Sequence, residues 1–184
     1  MSALMVSDLN RILQDPNIVE YYKDKKLECF LETGTHIGST IQQLHYKFAR
    51  LFSIEISPHY HQYAQNALNQ YKNVQLFLGD STKILPEILP QIKENIVFFL
   101  DGHYSSEDTG RGDKDCPLIE ELQAITQRNY DDIIIIDDYY MFGTKGNEDW
   151  TDITVDNLLK VIPLERILFK DVIGDRYCIF LKKL

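Results

Sequence analysis

Two glycines four residues apart follow an apolar run that ends in an acidic residue. The acid is Glu32, Gly34 and Gly38 are the glycines, and Thr35 lies between them, with a helix-like pattern after the loop. Such a loop lets the backbone approach a ligand that a Cβ atom would exclude, and it points free helix N–H groups at that ligand. A second acid, Glu55, ends the next apolar run at a distance that suits hydrogen bonding to a ribose diol. Together these features predict a site for an adenosine-type cofactor.

Acidic residues also follow the later strand-like runs. Asp80 and Ser81 follow the third run, Asp101 follows the fourth, and Asp137 and Asp138 follow the fifth. Ligands of open α/β sheets bind beyond the carboxyl ends of the strands. The recurrence of acids there favours a functional interpretation of the set, although chance placement would explain any single one.

The carboxylates of Asp101, Asp137 and Asp138 are expected to converge with the imidazole of His103 if the fourth and fifth strands are neighbours. Clustered carboxylates raise one another's pKa unless a cation neutralises them. A set of oxygen ligands with water suits Mg²⁺, with Ca²⁺ and Mn²⁺ as alternatives. His103 is expected to be a metal ligand or, more readily, a base near the substrate. The competing interpretation is that Asp137 or Asp138 only caps the following loop.

Strands and helices alternate along one predicted domain, residues 1–184, with 1–26 as a leading helical segment. The predicted strands are 27–32, 51–55, 74–78, 96–100, 133–136, 166–170 and 177–182. The predicted helices are 7–14, 38–48, 57–71, 82–93, 117–128 and 151–161. Four consecutive isoleucines at 133–136 fit a strand buried on both faces, and a turn at Gly174 and Asp175 predicts an antiparallel terminal hairpin. The fold class is therefore α/β, a doubly wound and mostly parallel seven-stranded sheet with a C-terminal antiparallel hairpin.

Composition limits the partners of the chain. The net charge of -9 argues against a nucleic-acid partner, because phosphate binding needs clustered Lys and Arg. No apolar stretch is long enough to span a bilayer, and the N-terminus lacks the apolar core of a signal peptide. Three widely spaced cysteines indicate reduced thiols in a cytoplasmic protein. A small-molecule acceptor is expected, without nucleic acid or membrane, and a homodimer is left open.

The glycine loop, Glu55, the Gly79–Ser81 segment, the Leu100–Gly102 segment and the terminal hairpin resemble a class I S-adenosylmethionine-dependent methyltransferase over residues 27–182. The motifs Leu-Asp-Gly-His-Tyr and Ile-Asp-Asp-Tyr are similar to those of the metal-dependent macrocin- and mycinamicin-type O-methyltransferases. The loop departs from the strictest pattern at His36, where a middle glycine is often found. The longer N-terminal capping segment of the sugar-modifying enzymes is not evident either.

The resemblance implies a Rossmann-like methyltransferase fold and a role for each matching residue. Gly34, Thr35 and Gly38 would lie against the methionine and ribose, Glu55 would hold the ribose hydroxyls, and Asp80 with Ser81 would face the adenine. Glu32 and Asp101 complete the cofactor-binding candidates. Asp101, Asp137 and Asp138 would bind Mg²⁺, and His103 and Asp101 are the catalytic candidates.

The implied reaction is Mg²⁺-assisted O-methylation of a small hydroxylated molecule, such as a sugar or natural product. A nicotinamide-dependent oxidoreductase shares the loop and the ribose carboxylate, but its G-x-G-x-x-G fingerprint is absent here. A non-catalytic cofactor-binding protein is the other alternative. The polar segment 102–116 is expected to form a lid, and Tyr139–Phe142 with Trp150 an apolar wall for the acceptor.

Overall fold

The computed structural model describes residues 3–105, 110 and 112–184. Its strands are β1 (Cys29–Thr33), β2 (Arg50–Glu55), β3 (Val74–Leu78), β4 (Ile96–Leu100), β5 (Ile133–Ile136), β6 (Ile167–Ile173) and β7 (Arg176–Leu181). Its α-helices are α1 (Val6–Leu13), α2 (Val19–Tyr22), α3 (Ser39–Leu44), α4 (Pro58–Leu68), α5 (Ser81–Ile88), α6 (Leu118–Ile125) and α7 (Val155–Val161). Short 3₁₀ turns occupy Leu89–Gln91, Tyr139–Met141 and Leu164–Arg166.

The strands form one seven-stranded sheet in the order β3-β2-β1-β4-β5-β7-β6. Strands β1 to β5 run parallel to one another, whereas β7 runs antiparallel to both β5 and β6. The predicted doubly wound sheet with a reversed terminal hairpin is therefore confirmed. The strand order reverses between β1 and β4, and this is where such sheets place their ligands.

Apolar side chains cover both faces of the sheet. The isoleucines of β5 alternate between two clusters, with Ile134 and Ile136 on one face and Ile133 and Ile135 on the other. All four side chains are buried, as the run of isoleucines predicts for a central parallel strand. This two-sided burial fixes the carboxyl end of β5, where Asp137 and Asp138 begin the next loop.

Several helices are shorter than predicted. Helix α3 stops at Leu44 rather than 48, and α5 stops at Ile88 before a 3₁₀ turn that contains Pro90, whose missing N–H cannot continue an α-helix. Helix α7 begins only at Val155, because the Thr154 hydroxyl caps it by accepting a hydrogen bond from the Asn157 N–H. The four-residue helix α2 lies within the predicted leading helical segment, residues 1–26, although it was not predicted as a separate helix.

The N-terminal segment packs on one face of the sheet, in the same apolar cluster as Ile133 and Ile135. Leu4, Leu9 and Ile12 are buried, and the Leu4 N–H donates to the Thr40 hydroxyl at 3.2 Å. The three cysteines are buried and free. Within the described ranges, no helix combines the length and apolarity needed to cross a bilayer.

Candidate active site

The loop after β1 has a backbone that only glycine adopts without strain at two positions. Gly34 has φ +84° and Gly38 has φ +81°. A Cβ atom on Gly34 would collide with the carbonyl oxygen of Asp101, and one on Gly38 would lie 3.0 Å from Leu68 Cδ1. Gly34 therefore brings the end of β1 against the end of β4, while Gly38 lets α3 begin close to α4.

Glu55 fixes the shape of this loop from the end of β2. Its carboxylate accepts hydrogen bonds from the His36 N–H at 2.7 Å and from the Ser57 N–H at 2.8 Å. His36 is held at φ +47°, a left-handed conformation that is uncommon for a residue with a side chain. The His36 ring lies 4.3 Å from the Tyr60 ring, and both rings line the cleft described below.

Glu32 lies beneath the loop. Its side chain is 1 % exposed and accepts a hydrogen bond from the Ser53 hydroxyl at 2.7 Å. The Thr35 hydroxyl lies 2.5 Å from the same Ser53 oxygen. Burial raises the pKa of Glu32 to about 8. Glu32, Ser53 and Thr35 thus form a polar layer behind the loop. Neither Glu32, Thr35 nor Gly38 lines the cleft.

Asp80 links the end of β3 to helix α5. Its carboxylate caps the helix by accepting hydrogen bonds from the Thr82 N–H at 2.9 Å and the Thr82 hydroxyl at 2.7 Å. Lys83 Nζ lies 3.4 Å from its other oxygen. Asp80, Ser81 and Thr82 face the same cleft as Glu55.

A single cleft of about 920 Å³, counting its open mouth, joins these strand ends. It lies beyond the carboxyl ends of β1 to β4, at the switch point of the sheet. Of the predicted site residues, the cleft is lined by Gly34, Glu55, Asp80, Ser81, Asp101 and His103.

Asp101, His103 and Asp138 form a cluster at one end of the cleft. One ligand-type atom from each side chain lies within 4.8 Å of the other two. His103 Nδ1 is 3.5 Å from Asp101 Oδ1, and His103 Nε2 is 3.4 Å from Asp138 Oδ2. Asp138 has φ +53°, so its backbone is also in the strained left-handed region. The cluster has the spacing that a shared cation requires.

Asp137 points elsewhere. Its Oδ1 atom lies 3.1 Å from Nε of Arg176, a buried residue at the start of β7. Asp137 also belongs to a second acidic group with Asp138 and Asp175. Within the acidic pair, therefore, Asp138 faces His103 and Asp137 faces a fixed arginine.

Burial and crowding of like charges set the electrostatics of the cluster. Burial raises the pKa of Asp101 well above its usual value, and the charges of Asp137 and Asp138 raise it further. Burial lowers the pKa of His103, against the opposing charges of Asp138 and Glu148. The exposed Tyr140 phenol also has a raised pKa, because Asp138 lies beside it.

Part of the 102–116 segment lies over the mouth of the cleft. Gly110, Gly112, Asp113 and Lys114 contribute to the lining, while residues 106–109 and 111 lie outside the described residues. A Cβ on Gly110 would collide with the Ile56 side chain, so this backbone packs directly on the cleft wall. The expected lid is placed at the cleft by these described residues, but its motion is a prediction.

Some residues of the predicted acceptor wall, Tyr139–Phe142 and Trp150, are buried and others are exposed. Trp150 is 2 % exposed and packs edge-on against His103, with ring centres 4.9 Å apart. Phe142 stacks on Trp150 at 6.2 Å, and Tyr139 stacks on Tyr177 at 5.9 Å. Tyr140, in contrast, is 67 % exposed. Trp150 therefore supports the His103 cluster from behind.

No protein-family model matches the chain, and no curated protein matches it either. Solved structures do match. A protein described as an rRNA methylase from Clostridium thermocellum is 14% identical, with 100% of each chain covered and a TM-score of 0.61. A protein described as a caffeoyl-CoA O-methyltransferase from Staphylococcus aureus is 17% identical, with 98% of this chain and 86% of that chain covered and a TM-score of 0.61.

A third match is a Streptococcus mutans protein described as a methyltransferase and solved in complex with S-adenosylhomocysteine. It is 16% identical, with 90% of this chain and 97% of that chain covered and a TM-score of 0.60. The fold is that of the class I methyltransferases. At this level of identity the likeness establishes the methyltransferase fold, whereas cofactor and acceptor have to be argued from the residues.

Three features in and around the cleft were missed by the sequence analysis. Tyr60 reaches the cleft from α4, Glu148 lies 3.8 Å from His103 Nε2, and Glu121 is buried beside the floor of the cleft. Burial raises the pKa of Glu121 to about 7. The only available signal was an acid at 121 on the apolar face of a predicted helix, and Glu148 lies in a loop that carries no motif.

Proposed function

We propose that this chain is an S-adenosylmethionine-dependent methyltransferase that methylates a hydroxyl group of a small molecule with the help of a divalent metal, Mg²⁺ being the ion expected from the sequence. The observation that carries the proposal is the cleft itself. Glu55, a carboxylate that could hold a ribose, and Asp101, which belongs to an acidic cluster, line the same cavity at the switch point.

Glu55 and the residues at the start of α5 support the proposed binding of the cofactor. The Glu55 carboxylate is already oriented by two backbone N–H groups, so it presents its remaining lone pairs to a diol without further ordering. Asp80, Ser81 and Thr82 lie on the same wall and would hold the base. Gly34 also lines the cleft, and its backbone would lie against the methionine portion.

The proposed metal site at the acceptor is supported by the side chains of the cluster, whose donor atoms suit a cation. Asp101 Oδ1 is buried and has no hydrogen-bond partner among the described residues, and Asp138 and His103 face the same point. A bound divalent ion would lower the pKa of an acceptor hydroxyl. His103 can serve this end as a ligand or as the base that takes the proton.

The chain's own residues would contribute mainly by placing the two substrates. Methyl transfer requires the acceptor oxygen to lie in line with the methyl group and the sulfur, and alignment of this kind supplies much of the rate. The rigid ends of β1 and β4, joined through Gly34 and Asp101, provide that alignment. A small acceptor is favoured by the net charge of -9, which opposes the approach of a polyanion.

Transfer of radiolabelled methyl groups tests this proposal. Purified protein would be incubated with tritiated S-adenosylmethionine, Mg²⁺ and pooled hydroxylated small molecules, and labelled products would be separated from unreacted cofactor. We expect label in a small-molecule fraction, with loss of that label in Glu55→Ala protein and in chelator. Label appearing only in added RNA would contradict the proposed acceptor class.

A further inference from the structure

Strand β3 forms one edge of the sheet, and in the part of the chain that the structure describes no strand pairs with its outer side. Its five residues, Val74–Leu78, include neither a charged residue nor a proline. Leu78 is 48 % exposed, and Val74, Leu76 and Phe77 are only partly buried. An open edge of this kind is a template for pairing with a strand of another chain.

The other edge strand, β6, carries the features that normally prevent such pairing. Its exposed residues include Lys170 and Asp171, and its register on β7 is shifted between Ile167 and Phe169. Charged residues and bulges on an edge strand oppose pairing with a second strand. The register of β3 on β2, in contrast, is regular throughout. Of the two edges, β3 is therefore the one suited to pairing.

The backbone groups of β3 point alternately to β2 and to the open side. The Leu51 N–H donates to the Asn73 carbonyl at 2.8 Å, and the Gly79 N–H donates to the Glu55 carbonyl at 2.9 Å. Odd-numbered residues of this segment thus bond to β2, and the backbone groups of even-numbered residues face outward. The outward-facing residues are Val74, Leu76 and Leu78.

These outward-facing groups are self-complementary about a two-fold axis at Leu76. An antiparallel pairing centred there lets Leu76 of each copy exchange both backbone hydrogen bonds with Leu76 of the other. The Leu78 N–H of each copy would reach the Val74 carbonyl of the other. The exposed Lys72 of each copy would lie opposite Asp80 of the other, because both positions are four residues from the axis. The same arrangement therefore places opposite charges together at both ends of the pairing.

The side chains of β3 match this register as well. Val74 and Leu76 pack against the apolar cluster that includes Leu68 of α4. Because side chains alternate along a strand, Leu78 lies on the same face as these two residues. In the symmetric pair, Val74 of each copy would face Leu78 of the other. The exposed apolar surface of Leu78 would thereby be removed from water.

We propose that this protein forms a symmetric homodimer in which the β3 strands of two copies pair antiparallel about Leu76 and join the two sheets into one. A pairing of five residues from each copy is smaller than a standard interface. We therefore expect a reversible dimer that dissociates on dilution. The inference goes beyond the proposed function and does not depend on the cofactor or the acceptor.

Sedimentation equilibrium over a series of protein concentrations tests the dimer. Leu78→Lys should raise its dissociation constant at least about 10-fold, because lysine removes an apolar contact and adds a charge at two symmetric positions. Val172→Lys changes an exposed apolar residue of the other edge strand, so it is the matched control and should dimerise as the wild type does. Circular dichroism would confirm that each variant is folded.

Cysteine crosslinking tests the register of the pairing. Leu76→Cys places two thiols across the two-fold axis within the span of a disulfide, so mild oxidation should yield a covalent dimer. Leu78→Cys is the control, because its two copies would lie about 14 Å apart along the paired strands and should not crosslink. The three native cysteines are buried and should not contribute.

Wild-type protein that remains monomeric at millimolar concentration would overturn the inference. Equal dissociation constants for the wild type and folded Leu78→Lys would do so too, as would loss of dimerisation in folded Val172→Lys. Crosslinking of Leu78→Cys in preference to Leu76→Cys would show that the two copies meet in another register, and would overturn the proposed axis.

Discussion

At the scale of single residues, the site depends on two uncommon features. One is a glycine at the contact between β1 and β4, and the other is a pair of acidic residues buried where their charged forms are disfavoured. Any larger residue at position 34 would force the end of β4 to move, because its Cβ atom would overlap the backbone carbonyl oxygen of Asp101. Glu32 and Asp101 are kept in the interior although burial disfavours their charged forms. Both features are expected to lower the free energy of unfolding, as strained or buried charged groups at functional sites usually do.

Replacing Gly34 with alanine tests the contact between β1 and β4. We expect Gly34→Ala to lower the free energy of unfolding by at least about 2 kcal/mol, from steric overlap and a positive φ together. Urea denaturation of the wild type and the variant would measure this difference in the free energy of unfolding. Gly146→Ala is the control, since nothing lies within 4 Å of its Cβ position, and it should change stability little. Equal stability of the two variants would show that β1 and β4 do not approach as described.

The buried Glu32 predicts a pH dependence of stability. Its pKa is near the ordinary value of 4.5 in the unfolded chain and about 8 in the folded protein. Between these values the folded state holds a proton that the unfolded state has lost, so this residue's contribution to the free energy of unfolding falls as pH rises. The slope approaches about 1.4 kcal/mol per pH unit.

Glu32→Gln should remove that dependence, because glutamine does not titrate. Urea denaturation of wild type and variant at pH 5, 6, 7 and 8 would therefore show the variant gaining stability relative to the wild type as pH rises. Comparing the two proteins cancels the contributions of buried acids whose pKa does not depend on the charge of Glu32. Parallel stability curves across this range would mean that Glu32 is charged in the folded protein.

At the scale of elements, the carboxyl ends of the strands position the polar residues of the cleft. The loop after β1 contributes His36 to the cleft, and the carboxyl ends of β2, β3 and β4 contribute Glu55, Asp80 and Asp101. Asp138, which follows β5, lies next to Asp101 and His103. The described part of the 102–116 segment then lies across the opening. It is tied down by the Lys114–Glu120 ion pair and by Lys83, which lies 3.5 Å from Asp113.

Digestion with a lysine-specific protease tests whether this segment covers the bound cofactor. We expect S-adenosylhomocysteine to slow cleavage after Lys114 several-fold, because Lys114 lines the cleft, and to leave cleavage after Lys145 unchanged. Lys145 is exposed and provides an internal control. Mass spectrometry of the fragments would report both sites. Equal protection at the two lysines would count against a lid.

At the scale of the whole molecule, the fold was predictable because its signals are local and repeated. The isoleucine run at 133–136, the turn at Gly174 and the strand–loop–helix around Gly34 each specify one element, and together they leave one sheet topology. Helix ends were less predictable, since α5 gives way to a 3₁₀ turn at Leu89–Gln91 and α7 starts at its Thr154 cap.

The site was predictable only in part. Acids at strand ends are visible in the sequence, but the partner of each acid depends on distant chain segments. Arg176, from β7, pairs with Asp137, and Glu148, from an irregular loop, faces His103. Neither contact follows from spacing along the chain, because both join residues that are close only after folding. The prediction that Asp137 binds the metal therefore stays untested.

The central claim is that the cleft between β1 and β4 binds a sulfonium nucleoside. Isothermal titration calorimetry of the folded wild-type protein with S-adenosylhomocysteine tests this most directly, with NAD titrated in parallel. We predict saturable heat with a stoichiometry of about one for S-adenosylhomocysteine, from a single site of this class, and none for NAD. Absence of heat with S-adenosylhomocysteine, or binding of NAD alone, would contradict the account.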